Sequence, residues 1–169
     1  MKNLKIILAL FVSVTMVTTT IYAADFVLKL AHNGPEQHPF QNGAERFKQV
    51  IEEETGGAVT VQIFPSEQLG SEEETSQMIK QGTIACAVES AGGGLAPFVS
   101  SADLFNLPFL FRDIPHFYRV LDGPVGNLIA RDVEDKLDSV FLGWWFSGIR
   151  NEWNGKRPVM TPDDLKGLK

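Results

Sequence analysis

Residues 59–88 read VTVQIFPSEQLGSEEETSQMIKQGTIACAV, and their periodicities decide the fold class. Val59, Val61 and Ile63 alternate with Thr60 and Gln62, the period of two that gives a strand one apolar face. Pro65, with no N–H to give a ladder, ends that strand. Ser71 followed three residues later by Glu74 is a capping box, and Glu72 and Glu73 add negative charge at the positive end of the helix dipole. The helix this predicts runs to about Gln81 and stops at Gly82. Ile84–Val88 is a short apolar run, read as a buried strand. Toward the N-terminus, Phe26–Ala31 reads as another strand, broken by Asn33-Gly34-Pro35. Between them Phe40, Ala44, Phe47 and Ile51 keep helical spacing, with Pro39 suited to the first helical position and Gly56-Gly57 as the stop. The order β-α-β-α-β predicts an α/β fold: an open, mainly parallel sheet with helices on both faces.

Beyond residue 91 the pattern is less regular. Gly92-Gly93-Gly94 reads as a loop. Leu104–Phe111 is dense in apolar residues but interrupted by Pro108, which predicts a buried irregular stretch. Pro115 opens a helix through Leu121, ended by Asp122-Gly123-Pro124. Val125, Leu128, Ile129, Val133 and Leu137 keep helical spacing through a second one. Val140–Phe146, apolar and aromatic, predicts a central strand. Thr161-Pro162-Asp163-Asp164-Leu165 predicts one capped helical turn, and Leu168-Lys169 the start of another strand.

The first 23 residues carry the three parts of a secretory signal. Lys2 and Lys5 make a positive end, Ile6–Val17 an apolar core, and Ile21-Tyr22-Ala23-Ala24 a small-residue cut site. Cutting after Ala23 puts Ala at −1 and Ile at −3. The apolar core is too short for a spanning helix, which needs roughly 20 residues; the alternative is an amphipathic or buried first helix. Export to the periplasm is therefore expected, with no membrane insertion after cleavage. The chain has 169 residues, a formal net charge of −6 and one cysteine, Cys86. Hydrophobic residues at 44% and charged residues at 21% are ordinary globular usage and exclude wholesale disorder. The acidity argues against a nucleic-acid partner, which needs a basic face. A single cysteine excludes an internal disulfide framework.

Catalytic motifs fail on inspection. The glycines at 92–94 follow a strand, as a phosphate cradle would, but lack G-x-G-x-x-G spacing and a following Lys-Ser/Thr, so they read as a turn. His32, His38 and His116 lack metal-ligand spacing and read as surface or helix-end imidazoles. Cys86 sits in an apolar strand as a packed thiol. No G-x-S-x-G elbow is present. The acidic runs 52–54 and 72–74 read as solvated helix faces. No catalytic residue, metal ligand or cofactor is assigned. Three polar residues stand out: Asn33 after the first strand, Glu89 after the third and Arg150 after the aromatic run. Each alone has a plain reading as a turn former or surface charge. Together they lie at the carboxyl ends of strands, where open α/β sheets bind ligands.

At these residues the chain resembles the substrate-binding subunit of tripartite ATP-independent periplasmic (TRAP) transporters, the DctP type. The resemblance covers residues 24–169 and rests on Leu28–Asn33, Ile63–Gly70 (IFPSEQLG), Leu107–Phe111 (LPFLF), Ser147–Arg150 and Pro158–Lys169 (PVMTPDDLKGLK). It implies a periplasmic-binding-protein-like fold, closing two α/β domains on a small organic acid and handing that ligand to a membrane permease. It also implies that Arg150 contacts the ligand carboxylate and that Asn33 and Glu89 line the cleft. A guanidinium offers a bidentate fork to a carboxylate, Asn can donate to a second oxygen, and Glu can hold the arginine or a water. Members of the family are about twice as long, with their principal carboxylate-binding arginine just after L-K-G-L-K. The expected organisation is thus a signal peptide (1–23), the N-terminal α/β domain of a two-domain binding protein (24–150), and an incomplete crossover into a second domain (151–169). The expected function is solute capture for a TRAP-type transporter. The alternatives are a truncated product without function and an exported α/β enzyme.

Overall fold

The structure is a computed structural model that describes residues 24–149 and 154–168. Three parallel strands, β1 (Phe26–His32), β2 (Val59–Phe64) and β3 (Cys86–Val88), form a sheet in the order β2-β1-β3. Leu28 stands opposite Val61 and Leu30 opposite Ile63 on one side; Leu30 pairs with Cys86 on the other. Helix α1 (Pro39–Glu54) joins β1 to β2, and α2 (Glu72–Lys80) joins β2 to β3. The two crossovers run in opposite directions across the sheet, so the right-handed rule puts α1 and α2 on opposite faces. The parallel order and both helices agree with the sequence reading. The third strand is shorter than Ile84–Val88: the ladder begins at Cys86, and Ile84 is buried ahead of it.

Alternation sets the first core. Leu30 and Val61 are buried with Ala44 of α1, and Leu28, Phe47, Ile51, Ile63, Cys86 and Val88 pack around them. Fully burying a side chain such as Leu30 contributes about 1.5–3 kcal/mol. The Glu52 carboxylate fastens the end of α1 to β2: it accepts from Thr60 Oγ1 at 2.5 Å and Val61 N at 3.1 Å. Those bonds hold its carboxyl below the usual carboxylate range. Glu52 is therefore a fastener and not part of a solvated face, as the acidic run suggested.

A second core lies beyond β3. A π-helical turn (Ala91–Leu95) and a 3₁₀ segment (Ser100–Asn106) lead into α3 (Ile114–Leu121) and α4 (Pro124–Leu137). Leu95, Val99, Ala102, Ile129, Val133 and Leu137 are buried together, with Phe98, Phe105, Phe141 and Trp144 against them. Gly126 permits the tight α3–α4 junction: a Cβ there would sit 1.8 Å from the Leu121 carbonyl oxygen.

Two expectations fail in this half. Leu104–Phe111 is not buried: Leu107 is exposed, and Phe109, in the left-handed region at φ 59°, is 93% exposed. Val140–Phe146 forms no strand. Phe141 and Trp144 turn into the second core, whereas Val140 and Leu142 stay exposed. An apolar run signals a demand for burial, but a strand also needs a neighbouring ladder, and here a cavity separates this run from β3. Near the C-terminus the expected capped turn is present as a 3₁₀ turn (Pro162–Leu165) with a Thr161–Asp164 capping box. Leu168 lies in no strand, and Lys169 lies outside the described residues.

Candidate functional site

The carboxyl ends of β1 and β3 meet the N-terminus of α2, and their polar residues converge there. Asn33 follows β1; its Nδ2 donates to Glu72 Oε1 at 2.9 Å. Glu72 also accepts from the Ser90 backbone N at 2.8 Å and, through Oε2, from Ser90 Oγ at 2.6 Å. One carboxylate thus ties the first helical position of α2 to the ends of two strands. Read as part of a solvated helix face, Glu72 instead proves half-buried and central. Its neighbours Glu73 and Glu74 are exposed, Glu74 closing the expected capping box with Ser71.

Glu89 lies beside this knot. Thr75 Oγ1 is 2.6 Å from its Oε1, and its buried Oε2 has no hydrogen-bond partner. Burial, with the nearby Glu72 carboxylate adding to it against the opposing Thr75 bond, pushes its carboxyl up to about 8. Thr75 has one hydroxyl proton yet lies within 3.2 Å of the carbonyls of Ser71 and Glu72 as well. A protonated Glu89 resolves this count: Thr75 gives its proton to a carbonyl, and the Glu89 carboxylic acid donates to Thr75 Oγ1. At neutral pH Glu89 is thus mainly a neutral group, its one proton held by Thr75 Oγ1.

The glycines at 92–94 prove to be a tight wrap rather than a loose turn. Their π-helical turn is capped by Ser90 Oγ, which accepts from Gly93 N at 3.2 Å and Gly94 N at 3.4 Å. A Cβ at Gly93 would lie 2.8 Å from Glu72 Oε2, and one at Gly94 2.6 Å from Glu89 Oε2. Only glycine lets the backbone pass this close to the two acids. Across the site, Pro65-Ser66-Glu67 fold back on the end of β1. Ser66 N donates to the Gly34 carbonyl at 2.9 Å and Glu67 N to the His32 carbonyl at 3.3 Å. Ser66 and Glu67 both hold positive φ, 53° and 58°, a strained pair beside the site.

His32 is not a surface imidazole: it is 3% exposed, its Nε2 is 3.0 Å from Gln41 Oε1, and its ring packs edge-on against Phe40. His38 and His116 are helix-end imidazoles as expected, His38 Nδ1 accepting from Phe40 N at the start of α1. Cys86 is a half-buried thiol whose pKa burial raises. The structure therefore brings Asn33 and Glu89 to one site through Glu72; Arg150 lies outside the described residues. Sequence reasoning missed Glu72, Thr75 and Ser90. The one signal for them was the capping box, which fixes where α2 begins. Among the described residues no group of three or more His, Cys, Asp or Glu could hold a metal ion, and no helix is long and apolar enough to cross a membrane.

Residues 30–169 match the family of bacterial extracellular solute-binding proteins, family 7 (DctP). The whole chain is 32% identical over 171 residues to the 2,3-diketo-L-gulonate-binding periplasmic protein YiaO of Escherichia coli, covering 51% of that protein. Its fold is similar to that of a TRAP periplasmic solute binding protein from Ochrobactrum anthropi, solved with its C-terminus in the ligand-binding pocket. That likeness has a TM-score of 0.80 and 32% identity, over 86% of this chain and 45% of the other. A TRAP periplasmic solute binding protein from Sulfitobacter sp. NAS-14.1, solved with β-D-galacturonate, matches with a TM-score of 0.74 and 28% identity over 83% of this chain and 46% of the other. The chain spans about half the length of these relatives. On the family match and the shared fold, the chain belongs to the family 7 (DctP) bacterial extracellular solute-binding proteins.

Proposed function

We propose that the chain supplies one wall of a periplasmic site that captures a small hydroxylated organic acid and delivers it to a TRAP membrane permease. The observation that carries this reading is the Asn33–Glu72–Glu89 cluster at the strand ends of a family 7 fold. Glu72 would repel a ligand carboxylate, so the ligand's acid group faces away from it; Arg150 is the residue proposed to take that group. The second N–H of Asn33 can donate to a ligand hydroxyl, and a neutral Glu89 adds no second negative charge beside it. The cluster therefore favours a sugar acid over a dicarboxylate. The relatives described as binding 2,3-diketo-L-gulonate and β-D-galacturonate support this class.

In the same reading residues 1–23 direct export, 24–150 form the N-terminal domain, and 151–169 begin the crossover. The proposed role is binding rather than catalysis, as in the solute-binding family to which the chain belongs. The test is calorimetry on the chain completed with the half of the E. coli relative that it does not span, using galacturonate, glucuronate, succinate and neutral galactose. The completed protein should bind a uronate. Arg150→Ala should weaken it by about 2–5 kcal/mol, roughly 30-fold or more in Kd. The 169-residue chain alone should bind none of them tightly. Galactose binding as tight as galacturonate, or an Arg150→Ala variant of unchanged affinity, would defeat the assignment.

A further inference from the structure

The ladder between β1 and β2 ends with Phe64 opposite Ala31, and Pro65 brings no N–H to continue it. The chain then makes a turn over Pro65–Gln68, closed by Gln68 N donating to the Pro65 carbonyl at 3.1 Å. Both central residues, Ser66 and Glu67, hold positive φ, as a type I′ turn requires. Such positions favour glycine and asparagine, and a serine–glutamate pair is strained in them. Ser66 and Glu67 are exposed, so no buried side chain demands the conformation. Their backbone does. Ser66 N donates to the Gly34 carbonyl and Glu67 N to the His32 carbonyl, the two carbonyls that flank Asn33. His32 and Gly34 are buried, and a buried carbonyl left without a partner is costly. Gly34 is also packed against the His38 ring, which a Cβ there would approach to 2.7 Å.

We propose that the Ser66–Glu67 turn is a positioning element for ligand binding: it fixes the peptide units on both sides of Asn33 and so aims the Asn33 side-chain amide. The inference rests on the proposed role of Asn33 as a donor to a ligand hydroxyl. Asn33 lies just past the end of β1, where the sheet no longer fixes it. Its half-exposed amide gives one N–H to Glu72, and the direction of the other follows from the backbone that carries it. Glu72 alone is a single tether; the two bonds from the turn remove the remaining freedom of that backbone. A donor held in place before the ligand arrives loses little freedom on binding, and that is the advantage of a preorganised site. Ser66 and Glu67 thus act on the ligand through Asn33, by backbone conformation and not by charge. This gives the IFPSEQLG segment a function: Pro65 ends the ladder, and the strained pair behind it replaces the ladder with two bonds around the binding residue.

The test separates backbone from side chain at position 67. Glu67→Asn and Glu67→Val both remove the charge, but asparagine accepts the left-handed conformation and β-branched valine resists it. With galacturonate as the probe, calorimetry on the completed protein should show Asn33→Ala weakening binding about tenfold, the scale of one lost hydrogen bond. On the same scale Glu67→Val should weaken it about fivefold and Glu67→Asn less than about twofold. Added to Asn33→Ala, Glu67→Val should weaken binding no further, a coupling that a general loss of stability does not produce. In the 169-residue chain without ligand, nuclear magnetic resonance gives a second readout. Glu67→Val should move the Asn33 side-chain amide resonances and speed hydrogen exchange at the Ser66 and Glu67 amides, whereas Glu67→Asn should leave both in place. Equal affinities for Glu67→Val and Glu67→Asn would overturn the proposal, as would the same loss from Glu67→Val with and without Asn33. If the completed wild-type protein binds no uronate, the assignment of function falls, and the resonances decide the clamp: moved Asn33 signals in Glu67→Val uphold it and unmoved ones refute it. Should Glu67→Val fail to fold, Glu67→Ala, with a milder steric conflict, takes its place in every comparison.

Discussion

The sheet half, residues 26–88, and the half that follows it finish differently, although the second is the richer in apolar residues. In the first, every strand finds a neighbour close in sequence, and Leu30, Val61 and Ala44 are sealed by 16-residue α1. In the second, α4 and the 3₁₀ segment make a core of their own, yet Leu107, Phe109, Val140 and Leu142 remain exposed. Local crossover connections bring β1, β2 and β3 together within about 60 residues of chain, as parallel βαβ units do. The run 140–149 has no such partner nearby. Density of apolar residues sets how much surface wants burial; connectivity sets whether it is buried.

Paired truncations test that contrast most strongly. Leu30→Ala, in the sealed half, should lower stability by about 2–5 kcal/mol. Leu142→Ala should change it by no more than about 0.5 kcal/mol, as exposed positions do. Urea unfolding followed by far-ultraviolet circular dichroism measures both, and equal costs would erase the difference between the halves.

The next effect concerns the seam between them, where Glu89 sits. Its folded carboxyl keeps its proton to about pH 8, whereas an unfolded one loses it near the ordinary value of 4.5. Between those values the folded state binds more protons. The protonated form's contribution is therefore complete below pH 4.5 and is lost as pH rises to about 8. Glu89→Gln, which cannot ionise, should raise stability at pH 8 by on the order of 2 kcal/mol relative to wild type and change little at pH 4.5. Melting temperatures at the two pH values decide it, and a gain of the same size at both would remove the titration from the account.

A smaller effect sharpens the reading of the sealed half. Ser71→Ala removes the hydroxyl that caps α2 and should cost about 1 kcal/mol. Because Glu74 also binds the Ser71 backbone, Ser71→Ala with Glu74→Ala should cost less than the sum of the single changes, a coupling that a double-mutant cycle measures.

Much of the sheet half was legible because its signals are local. Period-two alternation at 59–63, the Ser71–Glu74 box and Pro39 each act within a few residues, and each appears where expected. The candidate site was legible in part. Asn33 and Glu89 could be placed at strand ends from element order alone. Glu72 could not: its carboxylate reaches Asn33 across 39 positions and Ser90 across 18. Nothing in a Glu-Glu-Glu run says which of the three turns inward.

By itself the sequence determined the β-α-β-α-β order, the helix boundaries and the family, since these rest on spacing, capping and short motifs carried by neighbouring residues. Tertiary structure alone decided that His32 is buried, that the glycine triplet wraps two acids, that Glu89 holds its proton, and that 140–146 lies apart from the sheet. Each of these depends on which distant groups share a small volume. Burial, desolvation and strand pairing are properties of that volume, and a linear pattern does not contain it.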